Sequence, residues 1–274
     1  MSKRLKELHE EITQRLRGVV ESPRREAELL LMGFLEKDIL YFITHQEDMI
    51  DDNDPKLIEW IERRSANVPL EYLTNRVSFY SETFYIDEGA LIPRPETEHL
   101  IDEIVARISS KEAITIVEVG VGSGIISIML ARHLPNARFI AVDISPKALA
   151  VARRNIELFN LTNRIELREG DLLSCVDEPI DLLVSNPPYI ANDVSLESNL
   201  SYEPQNALFG GEIGDEIIRR LLDEVYARQI PMFVCEMGFD QRTKVQEYLK
   251  SFSVQSLEFY KDLASLDRGF ILKI

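Results

Sequence analysis

Four short stretches carry residues whose types and spacing could do chemistry. The first is "VEVGVGSGII", with Glu118, Gly120, Gly122 and Gly124. Glycines at alternate positions let a backbone turn tightly and let a ligand come close. A helix beginning just beyond them offers free N–H groups and the positive end of its dipole. Such a loop suits a dinucleotide, a nucleoside or simple close packing. The second is Asp143, ending "FIAVDIS", about twenty residues past the glycines, where an acidic group meets ribose hydroxyls. Its structural alternative is a cap for the helix that starts near Ser145 and Pro146. The third is "REGDLLS": Asp171 could accept from the amino group of an adenine, and Leu172 could give a backbone N–H beside the ring. As a bland alternative, Asp171 is a turn residue. The fourth is "VSNPPYI", with Asn186, Pro187, Pro188 and Tyr189 behind an apolar run. Two prolines end a strand abruptly, because each fixes φ and lacks an N–H.

The elements that must position these residues alternate. From about residue 113, apolar β-branched strands ("AITIVEVG", "ARFIAVD", "RIELREGD", "IDLLVSNPPY", "PMFVCEMG", "VQSLEFYKD", "RGFILKI") alternate with amphipathic helices, except between "RIELREGD" and "IDLLVSNPPY" and within the last pair. That pattern predicts a doubly wound, largely parallel sheet. The last two strands are joined only by "LASLD", too short for a helical crossover, so they are expected to be antiparallel. Ligands of such sheets lie outside the carboxyl ends of the strands, so all four stretches point to one edge. Upstream, the first 66 or so residues read as helices, with Leu5, Leu8, Ile12 and Leu16 at helical spacing. Ser22 is a plausible N-cap before Pro23. "VSFYSETFYI" reads as a short hairpin. In "LIPRPETE", Pro93 and Pro95 hold the chain extended and Thr97 is placed to cap the next helix.

Composition narrows the field. The chain has 274 residues, 45% hydrophobic and 28% charged, room for two domains. No apolar run reaches membrane-spanning length, and the charged start lacks the apolar stretch of a signal peptide. The two cysteines, Cys175 and Cys235, have neither metal nor redox spacing, and the four histidines form no ligand signature; no metal is expected, and the cytoplasm is the expected compartment. A net charge of −16 disfavours nucleic acid, whose binding draws on Lys and Arg at phosphates. It suits a basic protein partner or a small ligand.

Taken in order, the glycine-rich loop, the acidic strand end, the Gly-Asp turn and Asn-Pro-Pro-Tyr resemble a class I S-adenosylmethionine-dependent methyltransferase of the kind that methylates planar amide or amino nitrogens. The flanking segments "LIPRPETE", "YEPQNALFGG", "CEMGFDQ" and "YKDLASLDRGF", with "EAELLL" near the start, resemble the HemK/PrmC family, which methylates the glutamine of the Gly-Gly-Gln motif in peptide chain release factors. Three positions depart from the family's habit: Asn67 and Asn75 stand where glycine is common, and Glu118 replaces an aspartate. The resemblance implies a Rossmann-like, seven-stranded, mostly parallel sheet with an antiparallel last strand. It also implies three parts: a helical substrate-docking domain (1–70), a hairpin linker (71–92) and a methyltransferase domain (93–274). S-adenosylmethionine would be held by Glu118, Gly120, Gly122, Gly124, Asp143, Asp171, Leu172 and Asn186, and S-adenosylhomocysteine released. Release factors would be the partners of a monomeric enzyme. Methylation of a ribosomal-protein glutamine, of adenine in DNA or RNA, and a cofactor-binding module without activity are the rival readings.

Amide methylation explains the residue types. An amide nitrogen is a poor nucleophile, so the site must hold it in line with a sulfonium methyl. The side-chain oxygen of Asn186 and the carbonyl of Pro187 can accept both hydrogens of an NH₂ group and stabilise positive charge growing on it. Pro187 and Pro188 stiffen the loop, and Tyr189 gives a flat apolar wall. Glu118 would bear on the ammonium of the cofactor's methionine. Arg94 either lines the acceptor entrance with Glu98 or forms a structural ion pair joining two domains.

Overall fold

The computed structural model describes residues 2–274. The chain divides into two compact units, one running to Arg76 and including Glu197–Tyr202, the other Val77–Leu196 with Glu203–Ile274.

The first unit holds helices Leu5–Arg15, Pro23–Leu35, Ile39–Thr44, Pro55–Ser65 and Leu70–Thr74. Leu5, Leu8, Ile12 and Leu16 are buried together with Leu30, Leu31, Leu57 and Trp60, so the helical spacing read from the sequence does face a core. Pro23 and Pro55 occupy first helical positions, where a missing N–H costs nothing. Asp54 caps its helix by accepting from Lys56 N and Leu57 N. Ser22, expected to cap in the same way, stands at the cap position without a side-chain hydrogen bond; the fixed φ of Pro23 starts the helix unaided. Asn67 and Asn75 have φ of 67° and 54°. Both lie in the left-handed region that favours glycine and that asparagine tolerates best among other residues, so the two departures keep the backbone shape.

The second unit opens with the hairpin Val77–Phe79 and Glu82–Phe84. Its turn residues, Tyr80 and Ser81, both have positive φ, the twist a two-residue hairpin needs. The backbone N–H of Tyr80 donates to Glu98 at 2.7 Å, which ties the turn to helix Thr97–Val105. Seven strands follow: β1 (Thr115–Val119), β2 (Arg138–Asp143), β3 (Ile165–Glu169), β4 (Leu182–Ser185), β5 (Met232–Glu236), β6 (Ser256–Lys261) and β7 (Asp267–Lys273).

They form one sheet in the order β6-β7-β5-β4-β1-β2-β3. Pairs from β5 through β3 are parallel, and β7 runs antiparallel to both β5 and β6. This is the class I methyltransferase sheet, with the antiparallel strand where the short "LASLD" connection requires it. Val117, Val119, Ile140, Val142, Leu183, Phe233 and Leu272 pack on Ile218, Leu221, Leu222 and Val225 of helix Glu216–Ala227. Strand residues alternate faces, so Glu118, between Val117 and Val119, lies on the other face. Its backbone is in register with Val184 of β4. No helix among the described residues is long and apolar enough to cross a membrane.

Candidate active site

The parallel strands end on one edge, and the site is assembled there. After β1 the chain passes through Gly120, Gly122 and Gly124, with φ of 77°, 53° and 85°. That left-handed succession is what glycine permits cheaply. Backbone bonds from Gly120 N and Val121 N to Val142 O, at 2.8 and 3.0 Å, pin the loop to β2. Helix Ile125–His133 begins directly behind it. Asp143 closes β2 and is buried. Its carboxylate accepts from Gly122 N and Ser145 N, each at 2.9 Å, so it braces the loop from below. Burial nevertheless holds its pKa above the usual carboxylate range, against those two backbone donors. The capping role of the next helix falls to Ser145, which accepts from Ala148 N.

Glu118 is completely buried. One carboxylate oxygen accepts from the backbone N–H of Ser127 at 2.9 Å and from its hydroxyl. The other, Oε1, has no hydrogen-bond partner among the described residues. Burial, reinforced by the nearby charge of Asp143, pushes its pKa up to about 8. A buried carboxylate with an unpaired oxygen is costly on its own and is matched by a cation placed beside it.

Two adjoining cavities, of about 700 and 790 Å³ with their mouths included, meet at Gly120, Asp143, Pro188 and Asn206. Glu118, Gly122, Arg94, Thr97 and Asn186 line the first. Ile144, Asp171, Leu172, Pro187 and Phe209 line the second. The geometry brings the sequence-derived candidates to the walls of one or the other, except Tyr189, Glu98 and Gly124; Gly124 instead packs against Ala152, where a Cβ would lie 3.3 Å from that side chain. Leu172 stands at φ 51°, and Asp171 forms an ion pair with Arg220 at 2.6 Å. Both of those side chains are about half exposed.

Asn186 follows β4, and its environment contains residues that local sequence rules did not single out. Its Nδ2 donates to the hydroxyl of Thr97 at 3.1 Å. That hydroxyl donates to Glu236 Oε2 at 2.8 Å. Glu236, the last residue of β5, is fully buried, and the Tyr189 hydroxyl stands 3.5 Å from its other oxygen. Burial raises Glu236 to about 7 and Tyr189 to about 12. Thr97, expected to cap its helix, is instead its first residue, while Glu96 sits at the cap without a side-chain bond. The hydroxyl goes to a buried carboxylate, a stronger acceptor for it than the helix terminus offers a donor.

The loop is held from outside as well. Gln241 donates to Tyr189 O at 3.1 Å and Gly214 O at 2.9 Å. Gly210 has no room for a side chain, since a Cβ there would lie 2.4 Å from Pro188 O. Arg94 pairs with Glu203 at 2.6 Å and also donates to Ile92 O. Glu203 accepts in addition from Ile92 N at 3.0 Å. The pair lies wholly within the second unit, so Arg94 does not join the two units. Glu236 closes a wholly buried strand, but Glu203 and Gln241 are single buried residues between more exposed neighbours, and nothing local in the sequence said what any of the three faces.

Comparison with known proteins bears on the fold and the family. The family model described as "Methyltransferase small domain" matches residues 96–206, and "PrmC N-terminal domain" matches residues 7–74. A release factor glutamine methyltransferase from Koribacter versatilis is 36% identical over 255 residues, 90% of each chain. Its namesake from Moorella thermoacetica is 34% identical over 96% of each. Among solved structures, the catalytic domain of hMettl16 in complex with an RNA hairpin superposes with a TM-score of 0.58 at 14% identity, over 83% of this chain and 84% of that one. Human methyltransferase 10 domain containing protein gives 0.52 at 16% identity, over 69% and 88%. At those identities the likeness is one of fold.

Proposed function

The chain belongs to the family of release factor glutamine methyltransferases, and from that premise we propose that it transfers the methyl group of S-adenosylmethionine to the glutamine side-chain amide of the Gly-Gly-Gln motif in peptide chain release factors. The observation that carries the reading is the unpaired oxygen of Glu118 beside a glycine loop, on the same sheet edge as Asn186.

The residues present fit the cofactor. A cationic methionine end satisfies Glu118 Oε1, and Asp143, with a lone pair to spare beyond its backbone donors, suits ribose hydroxyls. Leu172, Ile144 and Pro187 give apolar walls to a purine. When bound, the cofactor supplies an electrophilic methyl on a sulfonium. Everything else is the work of the chain. Asn186 Oδ1 and the Pro187 carbonyl accept the two amide hydrogens of the incoming glutamine, hold its nitrogen, and stabilise charge that grows there in the transition state. Pro187 and Pro188, with Gln241 holding the next carbonyl at Tyr189 and Gly210 packed close against Pro188 O, keep both acceptors aimed before the substrate arrives. Tyr189, its hydroxyl tied toward Glu236, offers its ring as a wall for the planar amide. The methylated amide loses its extra proton to water without a dedicated base. The helical segment 1–70 docks the protein substrate, and the enzyme acts as a cytoplasmic monomer.

Labelled methyl transfer to a purified release factor, with mass mapping of the modified residue, tests the reading. Label on the Gly-Gly-Gln glutamine is the expected result. Label only on nucleic acid, or on another protein in a competition with release factor, refutes it.

A further inference from the structure

We propose that Thr97 and Glu236 are positioning residues that fix which way round the Asn186 amide faces. The argument starts from proton counting. A threonine hydroxyl has one proton to give. Glu236 as a carboxylate can only accept, and at 2.8 Å it takes that proton. The hydroxyl oxygen is then left purely as an acceptor toward Asn186. The Asn186 atom 3.1 Å away must be Nδ2, and Oδ1 becomes the atom available to an incoming NH₂ group. Nothing else in the loop imposes that choice, because an asparagine amide rotated by half a turn has nearly the same shape.

The reverse arrangement is unproductive. If Glu236 carries a proton, it can donate to the Thr97 hydroxyl, which then donates to Asn186. That bond calls for Oδ1, and Asn186 would present its NH₂ to the NH₂ of the acceptor. Donor would face donor, and the glutamine nitrogen would lose its anchor. The groups around Glu236 set where this happens. Tyr189 stands on one oxygen and Thr97 on the other. Arg268 of β7 favours the carboxylate, and Glu96 at the start of the Thr97 helix opposes it. Tyr260 of β6 and Cys235 of β5 are neutral neighbours, both pushed up by burial. Burial dominates the balance and places the titration of Glu236 at about 7.

The proposal rests on the reading of Asn186 as the acceptor's anchor, so one arm of its test works without any acceptor. Wild type, Thr97→Val, Thr97→Ser and Glu236→Gln are compared. A cooperative thermal unfolding transition certifies folding of each variant, and cofactor affinity is measured by calorimetry so that kcat is compared at saturation. At saturating cofactor and release factor, Thr97→Val lowers kcat about tenfold or more with KM nearly unchanged, and Thr97→Ser restores it. Between about pH 5.5 and 8.5, wild type and Thr97→Ser lose kcat toward acid with an apparent pKa near 7. Thr97→Val and Glu236→Gln are flat over that limb. In the arm without acceptor, the side-chain ¹⁵NH₂ signals of Asn186, identified by their loss in Asn186→Ala, shift with pH near 7 in wild type and not in Thr97→Val. Wild-type kcat in Thr97→Val, or an acid limb that persists in Thr97→Val and Glu236→Gln, overturns the proposal. Titrating Asn186 signals in an enzyme that leaves release factor unmodified overturn the substrate assignment alone.

Discussion

Replacing Glu118 by glutamine keeps the shape of the side chain and deletes its charge, and the structure says what that does to both stability and binding. In the unfolded chain Glu118 titrates near 4.5, and in the fold at about 8, because burial and the charge of Asp143 favour the neutral acid. Below the lower value both states hold the proton. Between the two, the unfolded chain ionises while the fold keeps its proton, so stability falls as pH rises. Linkage over that interval gives a loss of about 3 kcal/mol at pH 7, approaching about 5 kcal/mol above the folded-state pKa. Glu118→Gln has no such titration. Free of cofactor, the variant is expected to be more stable than wild type at neutral and alkaline pH, and to match it near pH 4.

Binding runs the other way. A cationic cofactor end beside Oε1 draws Glu118 into its charged form, so wild type releases a proton on binding below about pH 8. Its affinity therefore climbs as pH rises to that point. Glu118→Gln binds about tenfold more weakly or worse, for want of a charged hydrogen bond, and without that pH dependence. Urea unfolding of the free proteins across pH, and calorimetric titration in two buffers of different ionisation enthalpy, measure the two halves. Equal affinities, or equal proton release in the two proteins, would refute the assignment of Glu118 to the cofactor. A variant less stable than wild type at pH 8 would refute the burial argument.

The remaining expectations separate binding from transfer and scaffold from site. Asn186→Ala should cut turnover about a hundredfold, the usual cost of losing a preorganised polar contact in the transition state, and far more than it weakens the cofactor whose cavity it lines; retention of most turnover removes its role. Asp143→Ala loses both the brace on Gly122 N and the acceptors for ribose, so cofactor affinity should drop at least about tenfold; an unchanged dissociation constant rules that out. Arg94 and Glu203 form a pair whose acidic member is nearly inaccessible and whose basic member is about a quarter exposed. A double-mutant cycle through their alanine variants should return a coupling of about 2 kcal/mol, below the fully buried range because water reaches the guanidinium; coupling under about 0.5 kcal/mol would mark the pair as incidental. Arg220→Ala breaks a pair open to solvent on both sides and should move unfolding stability by no more than about 0.5 kcal/mol.

What the sequence made legible follows the range of the interactions. The sheet, its antiparallel final strand and the hairpin were readable because period, turn length and breaker residues act within a few positions. The glycine loop, Asp143, Asp171 and Asn-Pro-Pro-Tyr were readable for a related reason: each ends a strand, and parallel strands put their ends on one edge. Glu236 obeys the same rule, closing β5 on that edge, yet "PMFVCEMG" reads only as a strand and "CEMGFDQ" only as a segment of family resemblance. Its meaning depends on Thr97, 139 positions away, and local pattern has no reach over that distance. Thr97 itself shows how a sound local rule is overridden. Threonine before an amphipathic run is a good cap, but a buried carboxylate within reach competes for the same hydroxyl and costs more to leave unpaired. The first N–H groups of the helix already donate to the carbonyls of Arg94, Pro95 and Glu96, so the terminus does not depend on a side-chain cap, whereas Glu236 is fully buried and draws on the Thr97 hydroxyl. That asymmetry sends the Thr97 proton inward, which in turn commits the lone pair of its oxygen to Asn186. The orientation of the tetrapeptide's first residue is thus decided by a side chain on another strand, outside the motif that made the tetrapeptide recognisable.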